Sequence, residues 1–509
     1  MKKTRIGIAG ASLFVTLICW ALSSPINSHT DERYHIGSIY CANGYNERCK
    51  PLGIDNYGNP VFLIKSEMCI PPGVDETYKR ILIDRSVQGC RYEISGNQPF
   101  GEFSVSPNID YATEKYIATN VNIKHTPLGY HKFMSIFITN DLTKSVLFMR
   151  IANSAIFCLF FIIALAVSNL KLTQSVLSSI FFVLIPTGLF ISSGISTSSW
   201  SFIGCTFSWV FLYALLNSKP SFNLKTIALI IGLLATVAIV FMSRYDAIFY
   251  VIFSNFVVIT LKLKSFILKK KIILLLFQVP LIGLILFLRS EIPQIAALTS
   301  RSISEHSGTH EWILILGNSI KLAIAIPLRI IGLENVGWFG LGPPIYVFFT
   351  HLILLTFLFL RIHETKNKEQ NLFSLVFLLF YLLICFTQTY VHPDWSAPFY
   401  YIRTGWRSDN FQSRYWLPIV PFFVGVTVLL MKNSKIFFYQ NKFRLMIVIL
   451  LSFTHWGSLF SIGKIFRENP TWYWSSFPLG INLIFVIGVT SFFIFLSTTT
   501  LLVTEVTKS

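Results

Sequence analysis

Apolar runs close to the length that crosses a bilayer recur along this chain, and they limit its fold more than any other feature. They cover residues 6–22, 147–167, 172–191, 200–216, 226–242, 247–261, 272–288, 344–360, 372–391, 417–431, 445–460 and 481–503. Roughly 17 to 25 apolar residues span the hydrocarbon as a helix, and lipid admits only structures that satisfy their own backbone hydrogen bonds. Charged residues make up 13% of the 509, against about 25% in soluble domains. The expected fold is therefore an all-α polytopic membrane protein with about 12 transmembrane helices.

The net charge of +18 would suit nucleic acid, but its distribution does not. Residues 23–146 carry 12 Lys or Arg and 13 Asp or Glu, so the excess lies in the membrane half. There it sits in short loops, at Lys219 and Lys225, Lys262 to Lys271, Arg361 to Lys368 and Lys432 to Arg444. The positive-inside rule makes those loops cytoplasmic, and no nucleic-acid partner is expected. The four loops agree if residues 312–331, with Lys321, Pro327 and Arg329, lie as a helix in the outer interface and do not cross. Both termini are then cytoplasmic, with residues 504–509 as a tail.

Lys2, Lys3 and Arg5 before the first run have the look of a signal peptide, but the run exceeds a usual signal core, so residues 1–23 read as a retained first helix. Residues 24–146 read as a small extracytoplasmic domain. Turn signals at Pro71-Pro72-Gly73, Ser95-Gly96-Asn97 and Ser106-Pro107-Asn108 separate strand-like stretches such as Val61-Phe62-Leu63-Ile64 and Arg80-Ile81-Leu82-Ile83. Four of the eight cysteines, Cys41, Cys49, Cys69 and Cys90, fall in this domain. An even number there predicts two disulfides in an oxidising compartment, and the absence of any CxxC pair argues against zinc. Three connectivities are open; pairing of neighbours, Cys41 with Cys49 and Cys69 with Cys90, is the expectation. Cys19, Cys158, Cys205 and Cys385 stand singly in apolar runs, where cysteine serves as a small hydrophobe. Residues 147–503 form the multi-helix bundle.

With this topology the outward loops collect the polar residues. His29-Thr30-Asp31-Glu32-Arg33-Tyr34-His35 follows the first helix directly, and a charge at the membrane edge is costly without water, a partner or a task. Asp31 and His35 share a face if the segment is helical, as a base and its partner would; the competing reading is a solvated helix end paired with Arg33. Arg244 and Asp246 lie in another loop, and Glu305, His306, His310 and Glu311 in the long one, without metal-ligand spacing. The loop 392–416 holds Asp394, Arg403, Arg407, Asp409 and Arg414 among Trp395, Tyr400, Tyr401 and Trp406. Guanidiniums in such a loop suit a phosphate, which they grip at two points; an interfacial aromatic belt with snorkelling Arg is the alternative. No P-loop, GxSxG or dinucleotide motif stands in a usable context.

Asp31-Glu32-x-x-His35 with Ser38-Ile39-Tyr40-Cys41, Gly332-x-x-x-x-Gly337-Trp338 ahead of Pro343-Pro344, and Gln412-Ser413-Arg414-Tyr415-Trp416-Leu417-Pro418 resemble motifs of a bacterial family of multi-pass proteins of unknown function. That family in turn resembles the GT-C superfamily of integral-membrane glycosyltransferases, which use polyprenyl-phosphate sugars and an acidic residue of the first outer loop. The resemblance gives Asp31 the acidic role, Glu32 and His35 supporting ones, and Arg414 a place near the lipid phosphate, with Arg33, Arg244, Arg403 and Arg407 as further substrate-binding candidates. Ser413 departs from the family's usual glycine. The next outer loop, 192–199, lacks the acid that many GT-C enzymes carry there, which speaks against a bound divalent metal and for a metal-free base mechanism. A divalent metal stays open as the alternative, and no other cofactor is expected.

The leading expectation is a glycosyltransferase of the bacterial plasma membrane, with a polyprenyl-phosphate sugar and a cell-envelope acceptor as partners. A lipid-linked glycan transporter is the alternative, disfavoured because the runs carry no acid at their centres. A non-enzymatic envelope scaffold is the third reading, for which twelve spans are excessive.

Overall fold

The computed structural model describes residues 2–24, 29, 32–43, 49–54, 60–65, 92–93, 116–120, 127–184, 186–218, 223–244, 246–263, 309–328, 346–353, 356, 368–391, 416–431, 441–468 and 481–508. The helices are α1 (Lys2–Ser23), α2 (Glu32–Cys41), α3 (Leu128–Met134), α4 (Leu142–Val167), α5 (Leu170–Val183), α6 (Pro186–Ser193), α7 (Thr197–Asn217), α8 (Leu224–Ser243), α9 (Ala247–Leu263), α10 (Thr309–Leu328), α11 (Lys368–Val391), α12 (Val420–Leu430), α13 (Asn441–Glu468) and α14 (Ile481–Lys508). Six of them, α1, α4, α7, α8, α11 and α14, are long and apolar enough to cross a membrane among the described residues, and α5 with α6 adds a seventh if the pair is one span. The expected run 272–288 lies outside the described residues. This is a multi-pass helical membrane protein.

Local sequence explains where these helices begin. Asp141, Asn169, Ser196 and Asn223 each sit one residue ahead of a helix and accept a hydrogen bond from a backbone N–H of its first turn. Such caps satisfy otherwise orphaned donors and contribute about 1 kcal/mol each. The run 172–191 was expected as one span, but the chain breaks into α5 and α6, inclined at 93°. Pro186 opens α6, where its missing N–H costs nothing and its ring disfavours helix in the residue before it.

The core forms where small residues let helices approach. α1 packs between α4 and α14; Gly10 abuts Ile162, and Thr16 shares a hydroxyl hydrogen bond with Ser491 at 2.9 Å. α7 runs through the interior, where Phe202, Phe207, Trp209 and Phe211 are fully buried. Around the outside, α8 exposes Ile227, Ile230, Ile231 and Leu234, and α11 exposes Leu372, Leu375, Leu379 and Leu382. Apolar stripes at that spacing on helices of this length face lipid. The helix expected at 312–331 forms as α10 over Thr309–Leu328 and packs against α11, where the Tyr381 hydroxyl donates to the Ala323 carbonyl at 2.8 Å.

The two ends of the bundle differ in character. One gathers cations. Lys2 donates to the Ser168 carbonyl that ends α4, and Arg5 to the Leu501 carbonyl near the end of α14, so the first and last helices meet there. Lys2 lies near Lys225, and Lys171 near Lys262 and Glu369. Cations at helix C-termini complement the helix dipole. The opposite end holds the end of α1, the starts of α4 and α7, and the turn from α8 to α9.

Four short strands also occur, β1 (Lys50–Ile54), β2 (Pro60–Lys65), β3 (Tyr92–Glu93) and β4 (Tyr116–Asn120), in one antiparallel sheet of order β1-β2-β4-β3. The stretch Val61-Phe62-Leu63-Ile64 is in β2, as expected. Cys41 and Cys49 form a disulfide. Cys69, Cys90 and the stretch 80–83 lie outside the described residues. Cys19, Cys158, Cys205 and Cys385 are buried and form no disulfide among the described residues, as expected of cysteines serving as hydrophobes.

Candidate functional site

Charged and polar side chains converge at the end of the bundle opposite the cations. Glu32, in the first turn of α2, is fully buried and paired with Arg150. The guanidinium grips both carboxylate oxygens, Nε to Oε1 at 2.8 Å and Nη2 to Oε2 at 2.7 Å. Its Nη1 donates to the carbonyls of Ala21 at 2.7 Å and Ser24 at 2.5 Å, where α1 ends. Arg150 lies about two turns into α4, in an apolar run.

His35, one turn on from Glu32, is buried against α3. Its Nδ1 and His131 Nε2 are 3.1 Å apart, and its Nε2 lies 3.5 Å from the Ser196 hydroxyl. Tyr130 packs edge-on against His35 and Trp200. Burial holds His131 well below the ordinary histidine value, with the charge of His35 a second cause. Burial also raises the Tyr130 phenol.

The turn 194–196 between α6 and α7, with the helix ends that flank it, is the hub of this arrangement. The Gly194 carbonyl accepts from Asn153 at 2.6 Å, and Asn153 in turn accepts from the Trp200 indole at 3.0 Å. His29 lies over Gly194, and its ring stacks on Phe190 with 3.8 Å between centroids. Burial, and secondly the Arg150 cation, keep His29 well below its ordinary pKa. Ser198 accepts from Arg244 at 3.2 Å, and Arg244 pairs with Asp246 through two hydrogen bonds, one of them Nε to Oδ1 at 2.9 Å. Four residues beyond Asp246, Tyr250 approaches Trp416, with ring centroids 6.4 Å apart, and Trp416 is buried also against Tyr381.

Segments read as separate loops in the sequence therefore meet. Glu32, His35, Arg244 and Trp416 are placed at one end of the bundle. Asp31, Arg403, Arg407, Arg414, Asp394, Asp409, Glu305 and His306 lie outside the described residues, as do the side chains of Arg33, His310 and Glu311. Among the described residues no group of three or more His, Cys, Asp or Glu side chains is placed to hold a metal ion. Sequence reasoning passed over Arg150, His131, Tyr130 and Asn153. Arg150 and Asn153 carried a signal, as a charge and a polar amide inside a spanning run; His131 and Tyr130 become site residues through packing.

A family model described as a predicted membrane protein (DUF2142) matches residues 13–423. The chain belongs to this family. The matched region runs from α1 to α12 and takes in the whole polar constellation. No curated protein and no solved structure matches the chain.

Proposed function

We propose that this member of the family is an integral-membrane glycosyltransferase that moves a sugar from a polyprenyl-phosphate donor to an extracytoplasmic glycan or glycolipid of the bacterial envelope. The observation that carries the reading is the convergence of the Glu32–His35 segment, the Arg244 turn and Trp416, which follows Arg414 by two residues, at one end of the bundle. Charge supports the orientation: the cationic opposite end suits the cytoplasm, and the Cys41–Cys49 disulfide near the polar end suits an oxidising exterior. The proposed architecture is the GT-C-like bundle of twelve spans carrying a disulfide-braced outer domain.

In this mechanism Asp31 removes the proton of the acceptor hydroxyl as that oxygen attacks the anomeric carbon. The sugar–phosphate bond breaks, and the leaving polyprenyl phosphate is stabilised by cations, for which Arg33, Arg244, Arg403, Arg407 and Arg414 are the candidates. Glu32 spends both oxygens on Arg150 and is poorly placed to act as the base. Purified protein in detergent, offered a panel of polyprenyl-phosphate sugars, should consume one of them. Asp31→Asn should lose about a hundredfold in rate, the usual size of general-base catalysis, at an unchanged melting temperature. Wild-type turnover by folded Asp31→Asn removes the base assignment, and no consumption of any donor by the wild type removes the enzyme.

A transporter of lipid-linked glycans is the second reading. It draws on the buried side chains of Gln174, Ser178, Ser208, Trp209 and Thr427, whose polar atoms make no hydrogen bond within the described residues. Passage of a donor lipid across vesicles without chemical change would select it.

A further inference from the structure

Lys171 is a cation at a place where the helix dipole disfavours one. It is the second residue of α5, just beyond the Asn169 cap, and a helix start is the positive pole of its dipole. Its stronger charged neighbour is a second cation, Lys262 in the last turn of α9, and Glu369 in the first turn of α11 is the weaker one. Two residues of α7 hold Lys262: its ammonium donates to the side-chain carbonyl of Asn217 and lies 4.6 Å from the centroid of the Tyr213 ring. Two ammoniums brought together repel, and an anion between them removes that cost.

The face of α5 that leads inward from Lys171 is polar. Residues three and four apart on a helix are neighbours, so Gln174 lies one turn inward of Lys171 and Ser178 one turn inward of Gln174. Both are buried, and neither the Gln174 amide nor the Ser178 hydroxyl makes a hydrogen bond among the described residues. Thr173 is buried with its hydroxyl in the same state. Buried polar groups without partners are uncommon and call for an explanation. An amide and hydroxyls, which donate and accept, match the hydroxyl groups of a ligand; paired ammoniums match a phosphate.

We infer that Lys262 and the Lys171 face of α5 bind the headgroup of an anionic phospholipid that carries hydroxyls beyond its phosphate, as phosphatidylglycerol does. The phosphate lies on the two ammoniums and the glycerol hydroxyls reach toward Gln174 and Ser178. Basic pockets between membrane helices take such headgroups. The site is at the cation-rich end of the bundle, away from the Glu32–Arg150 pair, and stands whether or not the protein transfers sugar. It assigns binding of the lipid, not its passage.

The test adds phosphatidylglycerol, phosphatidylmethanol or phosphatidylcholine to full-length protein in detergent. Phosphatidylmethanol has the same phosphate charge and no headgroup hydroxyl. Retained lipid is read by native mass spectrometry, alongside the melting temperature. Wild type should retain phosphatidylglycerol over the other two and melt highest with it. Lys171→Gln/Lys262→Gln should bind it on the order of tenfold more weakly; Lys171→Gln alone carries the comparison if that variant does not fold. Lys3→Gln/Lys225→Gln removes the same charge from exposed positions at the same end and should leave binding nearly unchanged. Gln174→Leu should bind phosphatidylmethanol as the wild type does and lose the preference for phosphatidylglycerol. Equal losses in the two double variants would reveal diffuse attraction to a basic surface and overturn the site. A preference that survives Gln174→Leu, or a wild type with none, overturns the assignment of the headgroup. A full thermal shift from inorganic phosphate alone gives the site to a free anion and overturns the lipid.

Discussion

His35 and His131 meet ring to ring, Nδ1 to Nε2 at 3.1 Å, both buried and 96 positions apart in the chain. A hydrogen bond between two imidazoles needs one nitrogen bare and the other protonated, so the contact survives only while the pair is not doubly charged. It ties α2 to α3 directly beside the Glu32–Arg150 pair.

That bond makes the fold sensitive to acid. His131 and His29 lie well below the ordinary value of 6.5, both chiefly through burial. The unfolded chain binds these protons near the ordinary value and the folded chain only at lower pH, so in that window the unfolded state holds more protons and stability rises with pH. Stability is complete above the ordinary value and is lost as pH falls, by up to about 1.4 kcal/mol per pH unit for each histidine. Melting curves in detergent from about pH 7.5 to 5 should show the decline, and His131→Gln should make it shallower. A flat wild-type profile contradicts the assignment.

Gly194 is required for its lack of a side chain. A Cβ there would fall on the His29 ring, which is pinned by Phe190. Gly194→Ala should cost about 1–3 kcal/mol, the usual cost of overpacking, and lower the melting temperature. Ser192→Ala is the matched control, because the Ser192 hydroxyl donates only within its own helix, to the Gly188 carbonyl. Equal melting temperatures for the two variants would show that His29 has room to move.

Peptide mapping of protein purified without reductant should recover the Cys41–Cys49 cross-link. It should also recover Cys69–Cys90, the remaining expected pair. Cys41→Ser should lower stability by a few kcal/mol, the usual value for a disulfide in a small domain. Free thiols at Cys69 and Cys90 would leave the outer domain with a single brace.

Sidedness can be read from two exposed positions at opposite ends of the bundle, Ile136 at 72% and Leu224 at 83% relative exposure. The described cysteines outside the disulfide are buried and give little background. In intact cells an impermeant thiol reagent should label Ile136→Cys and spare Leu224→Cys until the membrane is opened. The reverse pattern inverts the orientation, and with it the proposed site of sugar transfer.

Much of the fold was legible residue by residue. The runs 147–167, 200–216, 226–242 and 481–503 reappear within α4, α7, α8 and α14, because hydrophobic length is a local property. Pairing of Cys41 with Cys49 was also legible, since those cysteines are near in sequence. The break at Pro186 was missed because apolar length outweighed the proline signal. At the site, the segment Asp31–His35 stood out as charge next to a helix end. Its partners did not, because Arg150 and Asn153 read as isolated polar residues of an apolar run and Tyr130 and His131 carry no distinguishing pattern of their own.

The sequence by itself determined that this chain is a multi-pass helical protein, where many of its helices start, and that cations collect at one end. Each follows from hydrophobic length, capping chemistry or the sign of nearby charges, which act over a few residues. The tertiary structure decided which acid is spent and on what. A buried charge takes the counterion that packing brings within about 3 Å, since an unpaired one is too costly to keep. Packing brought Arg150 to Glu32 across 118 positions and Ser196 to His35 across 161, and those distances are set by the bundle as a whole.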